Sequence, residues 1–252
     1  MALTTIFLQI LCLVAVSYAI WKVQALSARI QSLKTHNDRM IENSVQEIVE
    51  ELQNVGSLSA LNLRFPVFYG GPSIDGTHGR LLVQQLISRR PKTIVEIGSG
   101  TSTIVIARVM QILGIEDLHH VSIDHEEYFL EISKRYAEAN EVASRIKFSH
   151  CPLGLDEKTG LSWYSGVEKV VGSRAIELLV IDGPPAYEQG KETAREPALD
   201  ILYRHLATNC VVILDDANRP GERSVVSNWM ARYPEFRLRR IESGKGMVVL
   251  ER

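Results

Sequence analysis

Five carboxylates and two glycines stand at the ends of apolar, β-favouring runs, which is where an α/β protein keeps its chemistry. The first run, "TIVEIGSGTST" from Thr93 to Thr103, carries Glu96, Gly98 and Gly100. Glycine in the turn after a strand lets a ligand approach the backbone closely. A dinucleotide fingerprint needs a third glycine where this chain has Thr103, so a nicotinamide-dependent oxidoreductase is the poorer fit. Glu96 would repel a pyrophosphate and suits an amine or hydroxyl donor. The site therefore wants a ligand without phosphates. "HHVSID" ends on Asp124, placed to accept from both hydroxyls of a ribose, with capping of the following helix as the alternative. His125 and the segment His150 to Pro152 stand at neighbouring strand ends, where they could border an adenine. "LLVIDGPP" ends on Asp182 and "VVILDDANRP" on Asp215 and Asp216. Three carboxylates converging on one crevice repel unless protonated or neutralised by a cation, and hard oxygen ligands suit magnesium or a similar divalent ion. Turn formation or capping by these aspartates is the plainer alternative.

The elements that would position these residues follow from the rhythm of the chain. Strand-like runs at Thr93–Ile97, His120–Ile123, Arg145–Phe148, Glu177–Ile181 and Cys210–Leu214 alternate with helix-compatible stretches, which calls for a parallel sheet covered on both faces. The ending differs, because "FRLRRIE" and "GMVVLER" are joined only by residues 243–245 and must form an antiparallel hairpin. The expected fold is α/β and Rossmann-like, a seven-stranded mostly parallel sheet with a C-terminal antiparallel hairpin.

This pattern resembles the class I S-adenosylmethionine-dependent methyltransferases, whose first motif is an acid-x-Gly-x-Gly signature; "EIGSGTS" matches it, and the likeness runs from about Gly70 to Arg252. Within that family the metal-dependent small-molecule O-methyltransferases are nearest in pattern. The resemblance implies S-adenosyl-L-methionine as cofactor and a methyltransferase domain over residues 57–252. It implies that Asp75 in "SIDGTHG" helps cover the cofactor, Glu96 binds its methionine end, Gly98 and Gly100 line it and Ser102 holds its carboxylate. Asp124 takes the ribose, His125 borders the adenine, and Asp182 is the catalytic aspartate. Relatives place Asp, Asp and Asn around a divalent ion such as Mg2+; here the set is Asp182, Asp215 and Asp216, the last departing from asparagine. Pro185 stands where relatives carry a lysine base, so no lysine is carried over. Lys191, Arg195, Arg219 and Arg223 would bind an anionic substrate or decorate helices. The implied reaction is O-methylation of a small-molecule or glycan hydroxyl. A catalytically silent methyltransferase-like assembly module is the alternative from another class.

Composition bounds the rest. With 28 basic against 30 acidic residues there is no bulk positive field for nucleic acid, and "RLRR" at Arg237–Arg240 is too short to supply one. Cys12, Cys151 and Cys210 lack the spacing of a zinc site or a disulfide framework. Residues 1–21 carry no charged side chain, and Ala2–Trp21 has the length of a bilayer span. The expectation is an uncleaved, single-pass transmembrane helix, with Lys22, Arg29, Lys34 and Arg39 holding the catalytic domain in the cytoplasm. Residues 22–56 follow as a helical stalk. Val23, Leu26, Ile30 and Leu33, then Ile41, Val45, Ile48, Leu52 and Val55, form a coiled-coil seam with a register slip near Asn37. A homodimer through that stalk, or packing of the stalk on its own domain, would cover the seam.

Overall fold

The computed structural model describes residues 2–156, 160–242 and 244–252; between residues 2 and 15 it describes side chains only for Ile6, Gln9 and Leu13. The chain divides into two compact units, the first ending at Val49 and the second running from Glu50 to Arg252. Helix α1, Ala2–Leu58, supplies all of the first unit and the opening turns of the second.

The expected membrane anchor is corrected here. Among the described residues no helix is long and apolar enough to cross a membrane. Side chains are described without a break from Val16, and the apolar run then ends at Trp21, before Lys22. Most of the remaining side chains of the run lie outside the described residues. The transmembrane segment, the attachment to a membrane and the cytoplasmic orientation drawn from it are therefore not carried further. The coiled coil is corrected as well. A seam of this kind needs each knob seated in a facing helix, whereas Val23, Leu26, Ile30, Leu33, Ile41, Val45 and Ile48 are exposed along one uninterrupted helix.

In the second unit the end of α1 is tied to α2 (Gly76–Arg89). Glu51 Oε1 accepts from the Gly76 amide at 2.5 Å, Asn54 Nδ2 donates to Thr77 Oγ1 at 3.0 Å, and Leu58 is buried. The compact unit thus begins several residues before position 57. From there the chain alternates as expected: β1 (Thr93–Ile97), α3 (Thr101–Ile112), β2 (His119–Asp124), α4 (Glu127–Ala139) and β3 (Ile146–His150). A short antiparallel pair, β4 (Leu153–Leu155) and β5 (Ser162–Tyr164), interrupts the alternation without having been expected, followed by α5 (Val167–Val171). The chain continues through β6 (Ile176–Ile181), α6 (Pro197–Leu202), β7 (Leu206–Asp215), α7 (Pro220–Arg232), β8 (Arg237–Ile241) and β9 (Met247–Glu251).

The seven-stranded sheet has the order β3-β2-β1-β6-β7-β9-β8. The first five strands pair in parallel, and β9 pairs antiparallel with both β7 and β8. Alternate residues of the central strands go to opposite faces. Val95, Ile97, Leu179, Ile181, Val212 and Leu214 pack with α6 and α7, while Ile94, Leu178, Val180, Val211 and Ile213 pack with α2 and α3. Burial on both faces explains why these strands read as unbroken apolar runs. The strand order reverses at β1, which runs outward to β2 and β3 on one side and has β6 on the other. Ligand crevices form beyond the strand ends at such a switch point.

Trp229 is the largest anchor of α7, fully buried and donating from Nε1 to the Glu196 carbonyl at 2.9 Å. Trp229→Ala is expected to lower the unfolding free energy by about 3–5 kcal/mol. Urea denaturation checks it, with the midpoint falling and the slope holding.

Candidate active site

The turn after β1 is built around two glycines with different reasons to be glycine. Gly98 has φ +98°, and a Cβ there would lie 2.9 Å from the Asp182 carbonyl oxygen. Its amide donates to the Ile123 carbonyl at 2.8 Å, and the Asp182 amide donates to the Ile97 carbonyl at 2.8 Å. Gly98 is thus the point where the ends of β1, β2 and β6 close on each other. Gly100 is extended, and a Cβ there would meet nothing within 4 Å. It opens on a cavity of 270 Å³.

That cavity is bounded by the segment Val67–Ile74, by Gly100 and Ser102 at the start of α3, by Phe129 and Tyr136 of α4, and by Asp182. Ser102 is thus one of the expected site residues that line the cavity. Glu96, Asp124 and Asp75 are not among the lining residues. Glu96 is fully buried beneath the turn, where Thr103 Oγ1 donates to its Oε2 at 2.5 Å and His120 Nε2 lies 3.6 Å away. Thr103 Oγ1 also accepts from the Gly100 amide at 3.0 Å, so Glu96 holds the glycine turn through Thr103. Asp75 caps α2, its Oδ1 accepting from the His78 amide at 2.8 Å, and its Oδ2 faces the turn between β8 and β9. There the Lys245 amide lies 3.4 Å from Asp75 Oδ2, and Lys245 Nζ donates to the Ser73 carbonyl at 2.8 Å. The neighbours of Asp75, Ser73 and Ile74, are the residues that wall the cavity.

Asp124 is buried at the tip of β2. Its Oδ2 accepts from both the amide and the hydroxyl of Ser99 at 2.8 Å, and its Oδ1 accepts from the Glu126 amide at 3.0 Å. Burial pushes the carboxyl up, but hydrogen bonds from His125, Glu126 and Ser99 outweigh it and hold Asp124 below the usual carboxylate range. His125 Nδ1 lies 3.3 Å from Asp124 Oδ1, and its ring meets Tyr164 of β5 edge to face. Ser99 and Tyr164 were not singled out from the sequence. The hydroxyl-rich run after Gly98 was the available signal for Ser99.

Asp182, Asp215 and Asp216 do come together, each offering an oxygen within 4.8 Å of the others. Sequence reasoning missed what else is there. Arg195, read as a substrate or surface residue, is 3% exposed in the middle of the cluster. It donates from Nη2 to Asp182 Oδ1 at 3.2 Å and Asp216 Oδ2 at 3.1 Å, from Nη1 to the Asp215 carbonyl at 3.0 Å, and from Nε to the Pro184 carbonyl at 3.2 Å. Arg219 Nη1 reaches Asp216 Oδ2 at 2.9 Å, and buried His78 places Nδ1 3.1 Å from Asp215 Oδ1. Burial and the Asp215 charge push Asp182 up to about 7 against the pull of Arg195. Asp215 moves the other way: burial would raise it, but the charge and hydrogen bond of His78 hold it at about 2. The two carboxylates are thereby split in proton affinity.

The chain is similar to known methyltransferases. Residues 95–217 match the family model described as a methyltransferase domain. The search of curated proteins gave no match. Among solved structures, a methyltransferase from Geobacter sulfurreducens is 21% identical with TM-score 0.52, covering 72% of this chain and 80% of that one. The O-methyltransferase from Bacillus cereus, solved in complex with SAH, is 17% identical with TM-score 0.51, covering 79% and 88%. The O-methyltransferase TomG from Streptomyces achromogenes, solved in complex with SAM, is 16% identical with TM-score 0.51, covering 71% and 81%. At these identities the solved structures speak for the fold. Together with the matched domain they set aside the nicotinamide alternative. Residues 95–217 carry a methyltransferase domain, on the class I S-adenosylmethionine-dependent methyltransferase fold.

Proposed function

We propose that the chain methylates a hydroxyl oxygen of a small molecule or glycan in the crevice above β1, β2 and β6. The observation that carries this reading is the cavity itself, whose lining runs from Gly100 and Ser102 to Asp182. Bound S-adenosylmethionine supplies a sulfonium methyl group. Ser102 and the Gly98–Gly100 backbone would hold its methionine end, with Glu96 acting through Thr103. Asp124 would take the ribose, keeping its charge because Ser99 and Glu126 already stabilise the anion. His125 would border the adenine. Asp75 contributes by fixing the wall segment in front of it.

Asp182 would take the proton of the acceptor hydroxyl. It lines the cavity, Arg195 fixes its Oδ1, and a carboxyl near 7 is matched to proton transfer at neutral pH. Phe68, Phe129 and Tyr136 give the cavity an apolar wall suited to a flat or aliphatic acceptor. The names of the two O-methyltransferases among the similar structures support oxygen as the methylated atom.

The divalent ion expected from Asp182, Asp215 and Asp216 fits these residues poorly. Magnesium demands oxygens at about 2.1 Å in octahedral array, whereas the facing oxygens of Asp182 and Asp216 already meet a guanidinium, and Asp215 Oδ1 faces His78. No step of the reaction is routed through an ion.

Calorimetric titration with S-adenosylmethionine, followed by transfer of labelled methyl to a panel of hydroxyl acceptors, tests the proposal. Asp182→Asn is expected to lower turnover by about 10²–10⁴-fold, the usual worth of a positioned acid or base, with cofactor affinity retained. Unimpaired turnover in that variant would remove Asp182 from the proton path.

A further inference from the structure

We propose that Arg195 is the resident cation of the acidic cluster, holding the place a divalent ion takes in metal-dependent relatives, so that methyl transfer by this chain needs no divalent metal. The inference rests on the methyl-transfer reading above but is tested separately from it.

Three observations converge. One nitrogen, Nη2, bridges Asp182 at the tip of β6 and Asp216 after the tip of β7, which are two of the three residues that would ligate the ion. An ion bound between those oxygens at metal–ligand distance would sit against that nitrogen, and arginine does not yield by losing its proton. The guanidinium is also anchored on its other side by two main-chain oxygens, of Pro184 and Asp215, and the side chain is almost fully buried. It is built in rather than swung in from solvent. Finally most of the negative charge is already answered. Asp182, Asp215, Asp216 and Glu222 face Arg195, Arg219 and His78, with Glu222 Oε1 3.8 Å from Arg195 Nε and 3.9 Å from Arg219 Nη1. A further dication would meet two or three fixed positive groups.

Arg195 is then a positioning residue: it orients the Asp182 carboxylate and ties two strand tips together, as an ion would.

The probe is Mn2+ alone, titrated into the purified full chain and followed by electron paramagnetic resonance. The wild-type protein is expected to show no Mn2+ bound at the cluster, and turnover is expected to hold within about twofold after exhaustive chelation. One tight Mn2+ per chain that Asp182→Ala removes would overturn the inference, and so would a tenfold loss of turnover on chelation that Mg2+ restores. Arg195→Gln removes the charge while keeping a polar side chain, and it is expected to gain a Mn2+ site that wild type lacks. A folded Arg195→Gln protein that binds no Mn2+ would equally overturn it. If that variant does not fold, the wild-type titration still decides. A failure to bind S-adenosylmethionine would sink the methyl-transfer reading and leave the Mn2+ result standing.

Discussion

Gly98→Ala should cost about 2–4 kcal/mol of folding stability, the sum of a left-handed backbone forced on a β-carbon and a contact that cannot relax. The φ of +98° is open to glycine and strained for alanine. The new methyl would press on the Asp182 carbonyl at 2.9 Å, and that carbonyl belongs to main chain pinned by the Asp182 amide on Ile97. Gly100→Ala separates ligand effects from folding effects, because its extended backbone suits any residue and the added methyl meets no protein atom within 4 Å. Gly100→Ala should keep its stability to about 0.5 kcal/mol and lose about 1–3 kcal/mol of cofactor affinity, as the methyl enters space the ligand needs. Denaturation and calorimetry on both variants check the pair. A Gly100→Ala protein that binds S-adenosylmethionine as wild type does would place the cofactor elsewhere.

Asp124→Ala is expected to weaken S-adenosylmethionine by about 1.5–3 kcal/mol, the worth of hydrogen bonds to a charged acceptor. The same substitution strips Ser99 of the acceptor for its amide and hydroxyl, so the glycine turn also loosens. Asp124→Asn divides the two effects: an amide oxygen still accepts from Ser99, while the charge is gone. Isothermal titration of both variants, with folding checked by circular dichroism, gives the comparison. Unchanged affinity in a folded Asp124→Ala protein would return this residue to a purely structural part.

Most of the sheet could be read from the sequence because its strands are buried on both faces and so appear as continuous apolar runs. Thr93–Ile97 and Cys210–Leu214 are of this kind. The terminal hairpin was legible for a different reason, since a three-residue connection leaves no room for a crossover. The acids at strand tips were legible too, because position at a tip follows from the strand alone. Arg195 was not. It lies in "KETAREP", among charged neighbours that read as a solvated surface, and only the tertiary return of that segment over the tips of β6 and β7 buries it. Asp75 was read through a motif likeness as helping to cover the cofactor; what the likeness did not tell is that its carboxylate also caps α2, accepting from the His78 amide. The apolar run at the start of the chain invited a membrane span on length and composition. The seam after it invited a partner helix on spacing.

The link between Lys245 and the segment at Ser73 and Asp75 sets an order of events during biosynthesis. The glycine turn, the aspartates and Ser102 are all made before the connection between β8 and β9, yet that connection braces the wall opposite them. A nascent chain that has not reached Lys245 holds the groups that would grip a ligand but lacks the brace on the wall that would enclose it. Affinity for S-adenosylmethionine should therefore follow the docking of the β8–β9 hairpin and not the making of the strand tips.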